Sequence, residues 1–172
     1  MSMKKIVLAV AMASALTSVN AMAQNGTVTF EGSITDSPCS VTPDTLDQTV
    51  NMGDVSSESL KNGQAGTPTS FTINLTDCST AVKKTVKTTW GGMASTANPD
   101  LLGLSGNAKG ASLAIADGSG NLIALGQPSA SQQLLDGNNT LQFSAYLQGD
   151  GASATIIPGN FTTVATFALT YQ

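Results

Sequence analysis

The sequence contains no histidine and no arginine, and these two absences limit the kinds of catalytic and metal-binding site that it can form. Without histidine, the Ser-His-Asp and Cys-His nucleophile systems are excluded, as are the common zinc sites that need an imidazole ligand. Most acidic residues stand beside glycine or proline, which is typical of turns rather than of paired catalytic carboxylates. The sequence therefore predicts a protein that is not an enzyme and holds no metal and no cofactor.

Charge of either sign is scarce, with seven lysines against eleven acidic residues and a net charge of −4. No lysine cluster forms a basic patch, so nucleic acid is not an expected partner. The glycine-rich stretches GNAKG and GDGAS lack the strand-loop-helix context of a phosphate-binding loop. We therefore expect no small-molecule substrate either.

Long apolar runs are absent except near the N-terminus, where two lysines precede the short apolar stretch 6–16. The small residues of Ala21-Met22-Ala23 follow it, and this order is typical of a secretory signal peptide. The apolar stretch is shorter than the ~20 residues that a membrane-spanning helix needs. Residues 1–23 are therefore predicted to be a signal peptide, with cleavage after Ala21 as the alternative, and 24–172 a single exported domain.

Cysteine occurs only twice, at Cys39 and Cys78. An even number of cysteines in an exported chain predicts a disulfide. Closing a loop of this size would contribute ~4 kcal/mol in the chain-entropy treatment. The spacing is not Cys-x-x-Cys, so a redox pair or a metal site has no support.

Alternation of apolar and polar residues recurs after the N-terminus, whereas helical periodicity is nearly absent. It is clear in FTINL, TLQFSAYL and FTTVATFALTY, and turn sequences such as DGSG and LDGNN stand between the runs. Val82, Val86 and Trp90 also share a parity, which predicts that they lie on one face of a strand. Seven or so short strands predict an all-β sandwich of the immunoglobulin type, with one helical turn in SSESLKNG.

Both ends of the mature chain are strand-like and almost uncharged. The first, 24–32, carries only Glu31, and the last runs without charge to the penultimate residue, Tyr171. Edge strands are normally protected by charge or proline, because an open apolar edge invites pairing with other chains. A free-standing sandwich would normally carry such protection, and the two ends of this chain lack it.

Four features, in order along the chain, resemble those of chaperone–usher fimbrial subunits of the type 1 and P pilus kind. They are GTVTFEGSITDSPCSV, LDQTVNMG, FTINLTDC, and an ending with Gly159 fourteenth from the C-terminus and Tyr171 penultimate. The resemblance implies an incomplete immunoglobulin-like sandwich that lacks its final strand. In that family the sandwich is completed by a donor strand from another subunit.

The function implied by the resemblance is that of a structural subunit of an adhesive surface fimbria. It would polymerise by donor-strand exchange after a periplasmic chaperone delivers it to an outer-membrane usher. The expected partners are copies of itself, related pilins, the chaperone and the usher, and the expected location is the fimbrium, reached through the periplasm. The alternatives are a minor adaptor pilin and a free-standing secreted immunoglobulin-like binding module with WGGMASTANPD as its loop.

The resemblance also implies a role for particular residues. The donor strand would be 24–32, with Gly26 passing close to the acceptor and Val28 and Phe30 filling pockets of the neighbour's groove. The alternative for Val28 and Phe30 is an ordinary first strand in the protein's own core. The acceptor groove, which the chaperone would also bind, would be formed by Gly159, Phe161, Phe167, Leu169 and Tyr171.

Overall fold

The computed structural model describes residues 26–32 and 37–172. The predicted signal peptide, 1–23, lies outside these residues, as does the start of the predicted donor strand. Residues 26–32 have no assigned helix or strand, and every one of them is exposed. No helix in the described ranges is long and apolar enough to cross a membrane.

Residues 37–172 are built mainly of strands joined by turns. The elements follow one another as β1 Ser40–Val41, α1 Pro43–Leu46, a 3-10 helix Ser57–Gly63, β2 Thr69–Cys78, β3 Thr85–Gly92, β4 Ser105–Gly106, β5 Ala111–Asp117, β6 Gln132–Gln133, β7 Gly137–Gly149, β8 Phe161–Thr162 and β9 Ala165–Tyr171. The 3-10 helix stands where SSESLKNG predicted a helical turn. It begins after Ser56, whose side chain accepts a hydrogen bond from the backbone N–H of Glu58.

The strands form two main antiparallel sheets and one small pair. The first sheet has the order β1-β2-β7-β5, the second has the order β6-β3-β9, and β4 pairs with β8. In the second sheet Trp90 of β3 lies opposite Phe167 of β9. Their buried faces share one hydrophobic core, so the predicted all-β sandwich is confirmed.

Alternation along the central strands sets which side chains enter this core. β2 buries Ile73 and Leu75, and β7 buries Leu141, Phe143 and Leu147. Successive strand residues point to opposite faces of a sheet, so apolar residues two apart reach the same interior. The runs FTINL and TLQFSAYL therefore predicted the two strands that pair in the middle of the first sheet.

Trp90 is a core residue rather than part of an exposed binding loop. It is 4 % exposed, and its ring centroid lies 5.6 Å from that of Phe71 and 5.2 Å from that of Phe143, both in edge-to-face geometry. Such pairs add to the free energy gained from burial alone. The binding-module alternative therefore loses the aromatic residue on which its loop depended.

The prediction that Val82 lies on one strand face with Val86 and Trp90 is wrong for Val82, which precedes β3 and is 88 % exposed. The chain makes a turn before β3 begins, and the backbone N–H and hydroxyl of Thr80 both donate to the Asp136 carboxylate at 2.7 Å. These two hydrogen bonds lower the pKa of Asp136. Shared parity has no meaning across a turn, because the strand period applies only within one strand.

The alternation that ends the chain is divided between two strands. β8 pairs with β4, whereas β9 pairs with β3. Between them the Thr163 hydroxyl donates to the Gly103 carbonyl at 2.9 Å, and Val164 is 73 % exposed. The strand pattern reaches Tyr171 as predicted, with a break where the chain moves from one sheet to the other.

The predicted disulfide between Cys39 and Cys78 is present, with a Cα–Cα distance of 4.1 Å. It joins the residue before β1 to the last residue of β2, and these two strands pair directly. The bond therefore ties the start of the sandwich to the first sheet.

Removing this bond tests its contribution. We expect Cys39→Ser/Cys78→Ser to lower the free energy of unfolding by about 2–4 kcal/mol, because the unfolded chain has more conformational entropy without the bond. Urea denaturation and periplasmic yield measure the effect. Ser40→Ala, an exposed position beside Cys39, is the control, and an equal urea midpoint for the double variant would contradict the prediction.

Candidate binding groove

An open groove of about 920 Å³ exposes part of the core. Two stretches that are distant in sequence form its walls, 45–55 on one side and 156–165 on the other. Its floor consists of side chains from four different strands, namely Phe71, Trp90, Leu113, Ala145 and Leu147. An apolar opening of this kind normally marks a place where another molecule binds.

The first wall includes a stretch of chain whose backbone pairs with no described strand. Thr42 N–H donates to the Asn74 carbonyl at 3.0 Å and the Gln48 side chain donates to the Thr72 carbonyl at 3.1 Å, so the chain follows β2 up to this point. The next residues, 49–55, belong to no strand and make no backbone–backbone hydrogen bond to another described residue. The Gly53 N–H donates to the Asn51 side chain at 2.9 Å. The other backbone groups of this stretch can pair with an added strand.

Sequence reasoning did not assign this wall to the groove, although a signal was present. Val50 and Met52 alternate with polar residues and are both half-buried, and Met52 packs against the core. The pattern is that of a short strand with one apolar face. Only the folded structure shows that this stretch faces β8 and β9 across an open space.

The second wall is β9 together with the chain that precedes it. One edge of β9 pairs with β3, and the other edge pairs with no strand of the described sheet. Its inward-facing residues are only half-buried, in contrast to the fully buried inward face of β7. They are Ala165, Phe167, Leu169 and Tyr171. β9 therefore has one backbone edge without a described strand partner and an apolar face that is only partly buried.

The predicted acceptor residues divide into two groups along this wall. Gly159, Phe161 and Phe167 line the groove. Leu169 and Tyr171 lie on β9, as Phe167 does, but beyond the open part of the groove. Burial raises the pKa of Tyr171, and the Ser37 side chain opposes this by hydrogen bonding. The tyrosine end of β9 is thus packed near the start of the sandwich, and the open part adjoins β8.

Gly159 has a physical reason to be glycine. A Cβ at this position would stand 2.8 Å from the backbone nitrogen of Ala108 and 2.9 Å from the carbonyl carbon of Asn107. The adjacent Asn160 carbonyl accepts hydrogen bonds from both of those residues, at 3.0 and 3.2 Å, which fixes the close approach. The rim of the groove therefore has no room for a side chain at residue 159.

The predicted donor residues belong to the separate stretch 26–32. Val28 is 72 % exposed and Phe30 is 90 % exposed. Apart from its chain neighbours, no described residue lies within 4 Å of a Cβ built on Gly26. Because the three residues are two apart, they would share one face of an extended strand.

An antiparallel immunoglobulin-like sandwich with an open apolar groove beside its last strand is the architecture of a subunit that is completed by a strand from another molecule. The sequence profile of the fimbrial protein family matches residues 28–172, and the chain belongs to this family. It is a structural subunit of a surface fimbria, exported to the cell surface.

Two fimbrial proteins are similar to this chain over its whole length. The Fimbria A protein of Serratia marcescens is 56 % identical over 174 residues, and the match covers 100 % of each chain. The Major MR/P fimbria protein of Proteus mirabilis (strain HI4320) is 47 % identical over 176 residues, again with 100 % of each chain covered. The crystal structure of the P pilus rod subunit PapA is similar with a TM-score of 0.68 and 28 % identity, over 79 % of this chain and 100 % of that one.

Substitution at the rim of the groove tests the close approach. We expect Gly159→Ala to destabilise the fold by about 1–3 kcal/mol, because the new methyl group would displace backbone rather than a flexible side chain. Asn160→Ala, which keeps the two backbone hydrogen bonds, is the matched control. Thermal melting of both variants measures the effect, and equal melting temperatures would contradict the explanation.

The pKa of Tyr171 gives a prediction for alkaline solution. Because the pKa of the folded state is raised above the ordinary 10.0, the unfolded chain loses this proton first. Stability therefore falls as the pH rises through and above about 10. We expect Tyr171→Phe to lack this part of the decline between about pH 9 and pH 11. Urea midpoints measure it with Tyr146→Phe as control, and parallel curves for wild type and Tyr171→Phe would refute it.

Proposed function

We propose that this protein is a shaft subunit in which residues 24–32 of one copy occupy the groove of the next. The observation that supports this best is the half-buried inward face of β9 beside an edge that no described strand pairs with. A strand laid between β9 and residues 49–55 would supply backbone hydrogen bonds to both walls and cover the exposed core side chains. Residues 24–172 would then form one domain after removal of the signal peptide 1–23.

The chemistry of the donor stretch suits the groove. In an extended strand Gly26, Val28 and Phe30 face one side, and the polar residues between them face the other. Burying each of the two apolar side chains contributes ~1.5–3 kcal/mol. The described donor residues, 26–32, would extend over ~23 Å, and β9 contains seven residues and has about the same length.

The direction of the added strand follows from the sheets. Every strand pair in the described part of the molecule is antiparallel. An antiparallel donor would begin beside Tyr171 and end beside Phe161. Its own sandwich would then follow at the Gly159 end of the acceptor groove.

Before polymerisation the open groove requires another occupant, because an exposed apolar edge leads to aggregation. We propose that a periplasmic chaperone covers it by adding a strand to β9, and that an outer-membrane usher is the place where the donor replaces the chaperone. The groove residues Gly159, Phe161, Phe167, Leu169 and Tyr171 would contact both occupants in turn. The role is structural, and we propose no catalytic activity.

A comparison of the two faces of the donor tests this function. We expect Phe30→Asp to abolish polymerisation, because a carboxylate would be buried without a partner in the groove. Thr29→Asp places the same charge one residue away on the opposite face and should still polymerise. Electron microscopy of fibres and SDS-resistant ladders measures both variants.

A synthetic peptide of residues 24–32 provides an independent test. The wild-type peptide should bind the purified subunit and raise its melting temperature, and the peptide with Phe30→Asp should not. Deleting 24–31 from the chain should leave a subunit that binds its chaperone but cannot enter a neighbour. Normal shafts from that deletion would refute the donor assignment.

A further inference from the structure

Two apolar side chains are exposed on adjacent turns at one end of the sandwich. Val82 is 88 % exposed and Leu135 is 70 % exposed. Thr80 joins the turns through its two hydrogen bonds to the Asp136 carboxylate, both of 2.7 Å. We call the residues 80–82 and 135–136 the entry patch, because it adjoins the point at which the chain enters the sandwich.

Hydrogen bonds place this patch beside the first residues of the sandwich. Ser79 N–H donates to the Pro38 carbonyl at 2.9 Å, so the turn that carries Val82 starts next to the entering chain. On the other side, Leu134 N–H donates to the Lys84 carbonyl at 2.8 Å. Val82 is three residues beyond Ser79 and therefore within ~11 Å of it.

We propose that the entry patch docks on the neighbouring subunit of the fibre, beside the mouth of the groove that receives the donor strand. This inference rests on the proposed function, in which residues up to Gly32 lie in the neighbour's groove. Five Cα–Cα steps separate Gly32 from Ser37, and they span at most ~18 Å. The short connection holds the entry patch close to the surface of the neighbour.

The surface it meets is defined by the direction of the donor. An antiparallel donor leaves the groove at the Gly159 end, where Ile157 is 49 % exposed and lines the groove. Ile157 is fixed there by reciprocal backbone hydrogen bonds with Lys109, of 3.1 and 2.9 Å. Apolar side chains therefore stand on both sides of the contact, Val82 and Leu135 on one subunit and Ile157 on the next.

The charge test uses a double substitution. We expect Val82→Asp/Leu135→Asp to weaken the joint between subunits by roughly tenfold or more, because two apolar side chains would no longer be buried there. The rate of polymerisation and the temperature at which SDS-resistant ladders dissociate measure this. Polymerisation and dissociation equal to those of the wild type would overturn the proposal.

Binding of the peptide 24–32 separates this proposal from the proposed function. The peptide carries no sandwich, so the double variant should bind it within about twofold of wild type. If the wild-type subunit does not bind the peptide, the proposed function fails, and this inference fails with it. Leu122→Asp, at an exposed apolar residue outside the patch, is the matched control and should polymerise normally.

Val82→Ser/Leu135→Ser is the milder form of the test if the aspartates impair folding, as judged by melting. It should weaken the joint in the same direction, since it removes the same apolar groups.

A covalent test examines the contact itself. Fibres of a Leu135→Cys/Ile157→Cys chain should give an oxidant-dependent ladder of covalently joined subunits on non-reducing gels. Fibres of Leu122→Cys/Ile157→Cys, with the same number of added thiols, should give none. Normal fibres of the first variant without a covalent ladder would overturn the assignment of Ile157 as the contact.

Discussion

Among the strands of residues 37–172, β9 pairs along one edge only, and the rest of the structure depends on this constraint. Its register with β3 places Phe167 opposite Trp90, in the most aromatic part of the core. Phe167 and the other inward-facing residues of β9 remain only half-buried, because no described strand lies on the other edge of β9. An apolar strand with one unpaired edge promotes aggregation of an isolated protein. In a polymer the same edge can bind a strand of the neighbouring subunit.

The other wall of the groove stays in position because the chain before it is anchored. The disulfide joins Cys39 to the end of β2, and the stretch through Gln48 is bonded to the same strand. Only then does the chain leave the sheet, and residues 49–55 have backbone groups that an added strand can bind. A fixed opening between two unpaired backbones makes strand addition specific in register, since alternate side chains must fit the floor.

Sequence alternation predicted most of the fold, because it reports which face of a strand is buried. Ile73 and Leu141 follow it. The disulfide was predicted separately, from the presence of two cysteines in an exported chain. Alternation failed at Val82, where a turn interrupts the strand period. The floor of the groove was not predictable in this way, because it combines strands that are distant along the chain, and the position of the first wall opposite β9 is set only by the folded structure. Residues 49–55 alternate as a strand does, but they are not a strand in the structure, because no described strand pairs with them.

Hydrogen exchange at the amides of β9 is the most direct test of the claim that the sandwich lacks a strand. In an antiparallel ladder alternate amides of β9 bond to β3, and the others point to the open edge. In the purified, unassembled chain the open-edge amides should exchange much faster than their neighbours, and in fibres both sets should be protected. Equal protection of the two sets in the unassembled monomer would show that the chain completes its own fold and would contradict the account.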